Sequence, residues 1–376
     1  MKNGMKKILV INNGTAGLFG FRREVLESLC KQFLVIVLAK DTGNLGDLKS
    51  MGCKYIASDI EYHGTNLLKE IALISFYKKI ISRVKPDVVL TYTIKPNIYG
   101  GIACSKMRIP YIANITGLGT AVENEGIMQK ITVPLYRLGL RKAQKVFFQN
   151  AHNLEFMRKR KMISGAYELL PGSGVNLDRF QLLEYPKRDT IDFTFISRVM
   201  KEKGIDQYLD AARAICKKYP NAVFHVYGKC DEQYKDVLSR LDAEGVIRYH
   251  GYTADVIAVH KESACTIHPS YYPEGMSNVL LESAASGRPV ITTDRAGCRE
   301  AVDDNVSGYI ISQKDSQALI QAIEQFLTLS WEERKRMGLA GRVKVEREFN
   351  RKIVVDTYVD TINIILNLPS STGYIT

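Results

Sequence analysis

The chain has 376 residues, 45% of them apolar and 24% charged, with a net charge of +12. That length exceeds one ordinary hydrophobic core and predicts two domains of roughly 150 to 200 residues each. No run of about 18 apolar residues offers a membrane-spanning helix, and the seven scattered cysteines (Cys30, Cys53, Cys104, Cys216, Cys230, Cys265, Cys298) hold no CxxC pair and read as reduced, buried thiols of a cytosolic protein.

In chain order, MKNGMKKILVINN starts basic, but its apolar core ILVI is too short for a signal peptide and reads as the first strand. Helical FRREVLESLCKQ, strand-like FLVIVLA and a second unit around CKYIAS follow. Next come LLKEIALISFYKKIISRV, PDVVLTYT, a helix around NIYGGIACSKM, then PYIANIT and KVFFQN. Such βαβ alternation predicts a doubly wound parallel sheet. The scheme restarts at IDFTFIS, after the polar, proline-bearing stretch FQLLEYPKRDT, so the boundary is expected near Leu183 to Thr190. The expected domains are 1–186 and 187–350, with a last segment 351–376. Helical patterns at SWEERKRMGLAGRVKVEREF and NRKIVVDTYVDTINIIL close the chain.

The positive charge is one-sided. Residues 1–185 carry 27 Lys and Arg against 14 Asp and Glu, whereas the remainder carries 25 against 26. Clusters recur at Lys78, Lys79, Arg83 and Lys85; at Arg137, Arg141, Lys142 and Lys145; and from Arg158 to Lys161. A basic domain attracts nucleic acid or an anionic membrane, unless the charge serves solubility alone. With no RNP strand or helix-turn-helix pattern, the membrane surface is favoured and nucleic acid is not expected.

PEGMSNVLLESAASGRPVIT, from Pro273 to Thr292, is the most informative segment. It lies between the strand-like runs of ACTIHPSYY and RPVITT, which makes a βαβ unit whose loop sits at the carboxyl edge of the sheet. Gly275 permits close backbone approach, and the amides of Met276, Ser277 and Asn278 are expected as unpaired donors at a helix start that favours an anion. Asn278 and Glu282, four apart, share a helix face where a carboxylate takes two hydrogen bonds from a ribose diol. Glu274 on the loop is left for sugar hydroxyls. The alternative is that both glutamates are solvated surface charges.

The run EGMSNVLLESAASGRPVI resembles the EGxxNxxxE signature of the family 4 retaining nucleotide-sugar glycosyltransferases, which share the GT-B fold. ISRVMKEKGIDQYLDAA resembles that family's segment in which an Arg and a Lys-Gly clasp the donor diphosphate, here Arg198, Lys203 and Gly204. VYGKC, HGYTADV and TTDRAGCREAVDDNVSGYII also fall in family order, so the resemblance is densest over residues 190–312. It implies an α/β fold of two Rossmann-like, doubly wound parallel-sheet domains facing a cleft, with the helix after Asn350 crossing back to the first. It also assigns Glu274, Arg198 and Lys203 to catalysis.

For the first domain the resemblance carries Gly14, Thr15 and Gly17, in NNGTAGLFGFRRE, to the donor and Arg22 to an acceptor phosphate. The glycine spacing does not match GxGxxG, and a ligand-free strand-to-helix turn is the alternative. Lys95 in TYTIKPNIYGG, with Thr116 and Gly117 in NITGLGT, is assigned to the acceptor side. Many relatives carry a His after the fourth strand, whereas here Asn114, Ile115 and Thr116 stand there, with no His until His152. His225 and His268 read as core or edge residues, and His63 and His152 have no metal spacing.

The resemblance implies transfer of a hexose or N-acetylhexosamine from a UDP-sugar substrate, with no metal and no other cofactor. The implied acceptor is a polyprenyl-diphosphate-linked saccharide, used in bacterial surface polysaccharide synthesis by a cytoplasmic protein peripheral to the inner face of the membrane. A soluble acceptor, a GT-B UDP-sugar epimerase, a regulatory sugar-nucleotide-binding protein and a basic RNA-binding protein are the competing readings.

Overall fold

A computed structural model describes residues 4–58, 67–123 and 126–369; His63 lies outside them. Contacts divide the chain into two compact units, Met1–Ser173 with Arg351–Thr376, and Gly174–Asn350. The division falls between Ser173 and Gly174 rather than at 186/187, because the expected linker is tied to the second unit. Tyr185 donates its hydroxyl to the Ala264 carbonyl at 2.8 Å, Trp331 Nε1 donates to the Pro186 carbonyl at 2.9 Å, and Arg288 Nη2 donates to the Glu184 carbonyl at 2.6 Å.

The first unit runs β1 (Lys7–Gly14), α1 (Thr15–Gln32), β2 (Leu34–Lys40), α2 (Leu45–Ser50), β3 (Lys54–Ala57), α3 (Leu67–Val84) and β4 (Val88–Tyr92). It continues through α4 (Gly101–Met107), β5 (Tyr111–Ile115), α5 (Thr120–Glu123), α6 (Ile127–Leu140), β6 (Lys145–Phe148), α7 (Ala151–Lys159) and β7 (Tyr167–Leu169). The strands form one parallel sheet in the order β3-β2-β1-β4-β5-β6-β7. Ile8, Leu9, Val10 and Ile11 are all fully buried. A strand apolar on both faces requires helices above and below it, which parallel crossovers supply.

The second unit runs β8 (Ile191–Ile196), α8 (Ile205–Lys218), β9 (Ala222–Tyr227), α9 (Lys235–Ala243), β10 (Arg248–Gly251), α10 (Val256–Glu262) and β11 (Cys265–His268). Then follow α11 (Asn278–Ala285), β12 (Val290–Thr293), β13 (Gly308–Ile311), α12 (Ser316–Thr328) and α13 (Trp331–Glu348). Its parallel order is β10-β9-β8-β11-β12-β13. Ser330 starts α13 with a reciprocal capping box to Glu333.

The final helix, α14 (Arg351–Ile365), belongs to the first unit. Val354, Tyr358, Val359 and Ile362 share a core with Leu18, Val25 and Leu26 of α1. Arg351 Nη1 reaches Glu24 Oε2 at 2.7 Å, and the Tyr358 hydroxyl donates to Asn114 Oδ1 at the end of β5.

Candidate functional site

In each sheet the strand order reverses once, between β1 and β4 in the first unit and between β8 and β11 in the second. Loops leaving the carboxyl ends of two such strands diverge to opposite faces and open a crevice for ligand. In the second unit these loops are stitched together. Tyr271 N donates to the Glu202 carbonyl at 2.9 Å, and Ser270 Oγ to the same carbonyl at 3.4 Å. Gly204 makes the close approach possible: its φ is +77°, and a Cβ there would stand 2.1 Å from the Pro269 carbonyl oxygen.

The stitching brings Lys203 and Glu274 into an ion pair, with side chains 11% and 16% exposed. Lys203 Nζ also lies 5.0 Å from the Tyr272 ring centre, and the guanidinium carbon of exposed Arg198 lies 5.8 Å from the same centre. Two cations over one aromatic ring, beside a carboxylate, have the chemistry to meet an anionic ligand that also carries hydroxyl groups.

The helix start differs from expectation. Ser277 is not an unpaired donor: its amide donates to the Gly297 carbonyl at 2.7 Å, so α11 begins at Asn278. The Ser277 hydroxyl is also engaged, 3.1 Å from Nε2 of buried His268. Burial, reinforced by the nearby Lys203 charge, holds His268 well below the ordinary histidine range, so it is neutral here. The Asn278 side-chain Oδ1 is buried with no hydrogen-bond partner among the described residues. Met276 is buried in an apolar cluster, and Glu282 follows Asn278 one turn along α11.

Sequence reasoning did not single out Tyr272, Ser270 or Gly297. Gly297 has a φ of +88°, and a Cβ on it would meet the Gly275 carbonyl oxygen at 2.8 Å and Glu274 Cβ at 3.0 Å. Its amide donates to Glu300 Oε2 at 2.7 Å. The signal was present in TTDRAGCREAV, where a glycine follows a β-branched strand, but its target became visible only with the loops packed.

In the first unit, the residues expected near the ligand are largely occupied within the fold. α1 begins at Thr15, directly after β1. The Thr15 hydroxyl donates to the Gly43 carbonyl at 2.7 Å and accepts from Thr42 N at 3.0 Å. Gly14 packs on Thr42, whose Oγ1 would be 2.5 Å from an added Cβ, while Gly17 is exposed with open space beside it. Arg22 is buried, donates Nη1 to the Phe21 carbonyl at 2.9 Å and lies over the Tyr92 ring. Lys95 is paired with Glu70 at 2.8 Å. Thr116 and Gly117 lie half-buried just past β5, and Asn114 Nδ2 donates to the Thr91 carbonyl at 2.9 Å.

His225 is half-buried, bonded to Asp192 at 2.8 Å and to exposed His250 at 3.0 Å, and exposed His152 lies 3.5 Å from Glu123. Among the described residues no group of three or more His, Cys, Asp or Glu is placed to hold a metal ion, and no helix is long and apolar enough to cross a membrane.

The architecture matches a glycosyltransferase of Rickettsia africae (TM-score 0.78, 18% identity, 96% of this chain and 99% of that one). It matches HepE of Anabaena, in complex with UDP, similarly (TM-score 0.77, 16% identity, 96% and 100%). Two doubly wound sheets of this kind define the GT-B class. The family described as glycosyl transferases group 1 matches residues 178–344, and that described as glycosyl transferase 4-like matches residues 7–150. Together they take in most of the chain, which therefore belongs to the GT-B glycosyltransferases of these families and is a glycosyltransferase.

Relatives include the N,N'-diacetylbacillosaminyl-diphospho-undecaprenol alpha-1,3-N-acetylgalactosaminyltransferase of Campylobacter jejuni, 23% identical over 94% of this chain and 97% of its own length. The UDP-Gal:alpha-D-GlcNAc-diphosphoundecaprenol alpha-1,3-galactosyltransferase of Escherichia coli is 23% identical over 78% of this chain and 80% of its own.

Proposed function

We propose that the protein transfers a hexose or N-acetylhexosamine from a UDP-sugar to a polyprenyl-diphosphate-linked saccharide, with retention at the anomeric carbon, at the inner face of the cell membrane. The observation that carries this reading is the Lys203–Glu274 pair at the switch point of the second sheet, with Arg198 over the same Tyr272 ring. The two relatives' names support it, since both describe transfer to a saccharide on diphospho-undecaprenol.

Arg198 and Lys203 meet the charge that develops on the diphosphate as its oxygen separates from C1 of the sugar. Lys203 exchanges its carboxylate partner for phosphate oxygens, and Glu274 then accepts hydrogen bonds from sugar hydroxyls. Glu282 takes the ribose diol. The partnerless Oδ1 of Asn278 supports a hydrogen-bond donor of the ligand at the start of α11. The acceptor oxygen bonds to C1 on the face from which the diphosphate departs, and its proton passes to the departing phosphate oxygen. No protein nucleophile and no metal enters this scheme.

A thermal-shift screen of nucleotide sugars tests the donor, because a ligand that binds the native state raises Tm by mass action. UDP and one UDP-hexose or UDP-N-acetylhexosamine are expected to stabilise the protein, and that sugar to be transferred to a polyprenyl-diphosphate saccharide. Stabilisation by no nucleotide sugar, or binding without transfer, would overturn the reading.

A further inference from the structure

Helix α6 is inside out. A helix on the surface of a globular unit turns its polar face to water, but the outermost face of this one is aliphatic. Ile127 is 77% exposed, Ile131 52% and Leu138 50%, and Pro134 between them is exposed as well. These four recur every three or four residues, so they form one stripe along the helix. The opposite face, with Thr132, Tyr136 and Leu140, is buried in the first unit. Removing such a stripe from water is favourable, yet no described residue of its own unit covers it.

The stripe is flanked by cations on both sides. On one flank an open hollow of about 420 Å³ is lined by Lys130, Arg137, Lys159, Arg160 and Lys161. Arg137 holds the end of α7 against α6 there, donating Nη2 to the Arg160 carbonyl at 2.9 Å and Nε to the Lys161 carbonyl at 3.1 Å. On the other flank a hollow of about 500 Å³ is lined by Ile102, Leu135 and Leu138 together with Lys106, Arg108 and Arg141. Lys159 lies 3.5 Å from Glu155, and Glu70 beside the larger hollow is paired with Lys95, so the local balance stays strongly positive.

We propose that α6 is the membrane-docking element of this protein: its Ile127–Ile131–Leu138 stripe enters the boundary between headgroups and acyl chains of an anionic bilayer, and the two basic hollows receive lipid phosphates. This rests on the proposed lipid-linked acceptor and names the surface that brings the enzyme to it. The occupant follows from the chemistry. An apolar ridge between cations suits an interface that is apolar within and anionic at its surface. Nucleic acid would call for aromatic side chains on which bases stack, and the exposed face of α6 has none, because Tyr136 points inward.

The test is sedimentation of the full chain with vesicles of phosphatidylcholine alone or mixed with phosphatidylglycerol, without nucleotide. Wild-type protein is expected to sediment with the mixed vesicles and to be released by salt. The variant Ile127→Ser/Ile131→Ser/Leu138→Ser is expected to lose about tenfold or more in vesicle affinity. Lys130→Glu/Arg141→Glu/Lys142→Glu is expected to lose the preference for phosphatidylglycerol. All these positions are exposed and outside the donor site, so both variants should keep the wild-type Tm and its rise with UDP. That separates this proposal from the donor assignment, whose failure would show as an absent UDP response in the wild-type protein. Wild-type protein that ignores phosphatidylglycerol, or a serine variant that sediments like wild type, would overturn the proposal. So would a wild-type dimer dissociated by the same three serines, which would assign the stripe to a second copy of the chain.

Discussion

Lys203 and Glu274 stand 71 positions apart in the chain, yet their side chains form an ion pair where the loops after β8 and β11 meet. In the proposed reaction the pair acts as a switchable clamp: a diphosphate competes for the ammonium, and the carboxylate turns to hydroxyl groups. We expect Lys203→Ala and Glu282→Ala each to lower kcat/KM for the donor about tenfold or more, equivalent to about 1.4 kcal/mol of transition-state binding. Steady-state kinetics against the donor checks this, and unchanged kcat/KM in both variants would remove these residues from the site.

Gly204 and Gly245 adopt nearly the same backbone, with φ of +77° and +72°, but only Gly204 is crowded. An added Cβ meets nothing within 4 Å at Gly245, whereas at Gly204 it stands 2.1 Å from the Pro269 carbonyl oxygen. Gly245→Ala should therefore cost only the left-handed backbone penalty, about 1–2 kcal/mol. Gly204→Ala should cost visibly more, and it alone should weaken UDP binding by prising the two loops apart. Thermal melts with and without UDP decide; equal losses in both variants would refute the packing argument.

Tyr358 ties α14 to the first unit, its ring 4.9 Å from that of Phe147 and its hydroxyl on Asn114 Oδ1. Tyr358→Phe keeps the ring and leaves a buried amide oxygen without its donor, which costs about 1–3 kcal/mol. Denaturant unfolding followed by hydrogen exchange should show the loss in the first unit and none in the second. A loss spread equally over both would contradict it.

His260 is fully buried on α10, and neither ring nitrogen has a partner among the described residues. Burial, with the Arg288 charge adding to it, pulls its pKa down to about 3. The unfolded chain therefore takes up this proton first. The stability contribution is complete above the unfolded value near 6.5 and is lost as pH falls toward 3, at up to about 1.4 kcal/mol per pH unit. His268 acts in the same direction. Replacing His260 with Leu should flatten the fall of Tm on acidification below about pH 6.5; a wild-type slope in that variant would show that His260 does not carry it.

Most of the architecture was legible because its causes are local. Runs such as ILVI and FLVIVLA are apolar at every position, and such runs make central parallel strands whatever lies elsewhere in the chain. The segment proposed for the donor stood out for the same reason, since Glu274, Gly275, Asn278 and Glu282 lie close together on one loop and one short helix. The boundary at Ser173 was not, because proline and polar composition mark 183–190 as a linker while tertiary bonds to Arg288 and Trp331 fasten it to the second unit.

By itself the sequence determined most of the strands and helices and the doubly wound class, and it singled out the segment from Pro273 to Thr292 for which a donor is proposed. Only the tertiary structure decided which of those polar groups are engaged within the fold. Thr15, Lys95 and the Ser277 amide all read as available until Gly43, Glu70 and Gly297, distant in the chain, were brought against them. The same holds in reverse for α6. Ile127, Ile131 and Leu138 have the spacing of a core-facing stripe, and spacing says that residues share a face but not which way the face points. That depends on what the rest of the fold packs against, and here it packs against the other side.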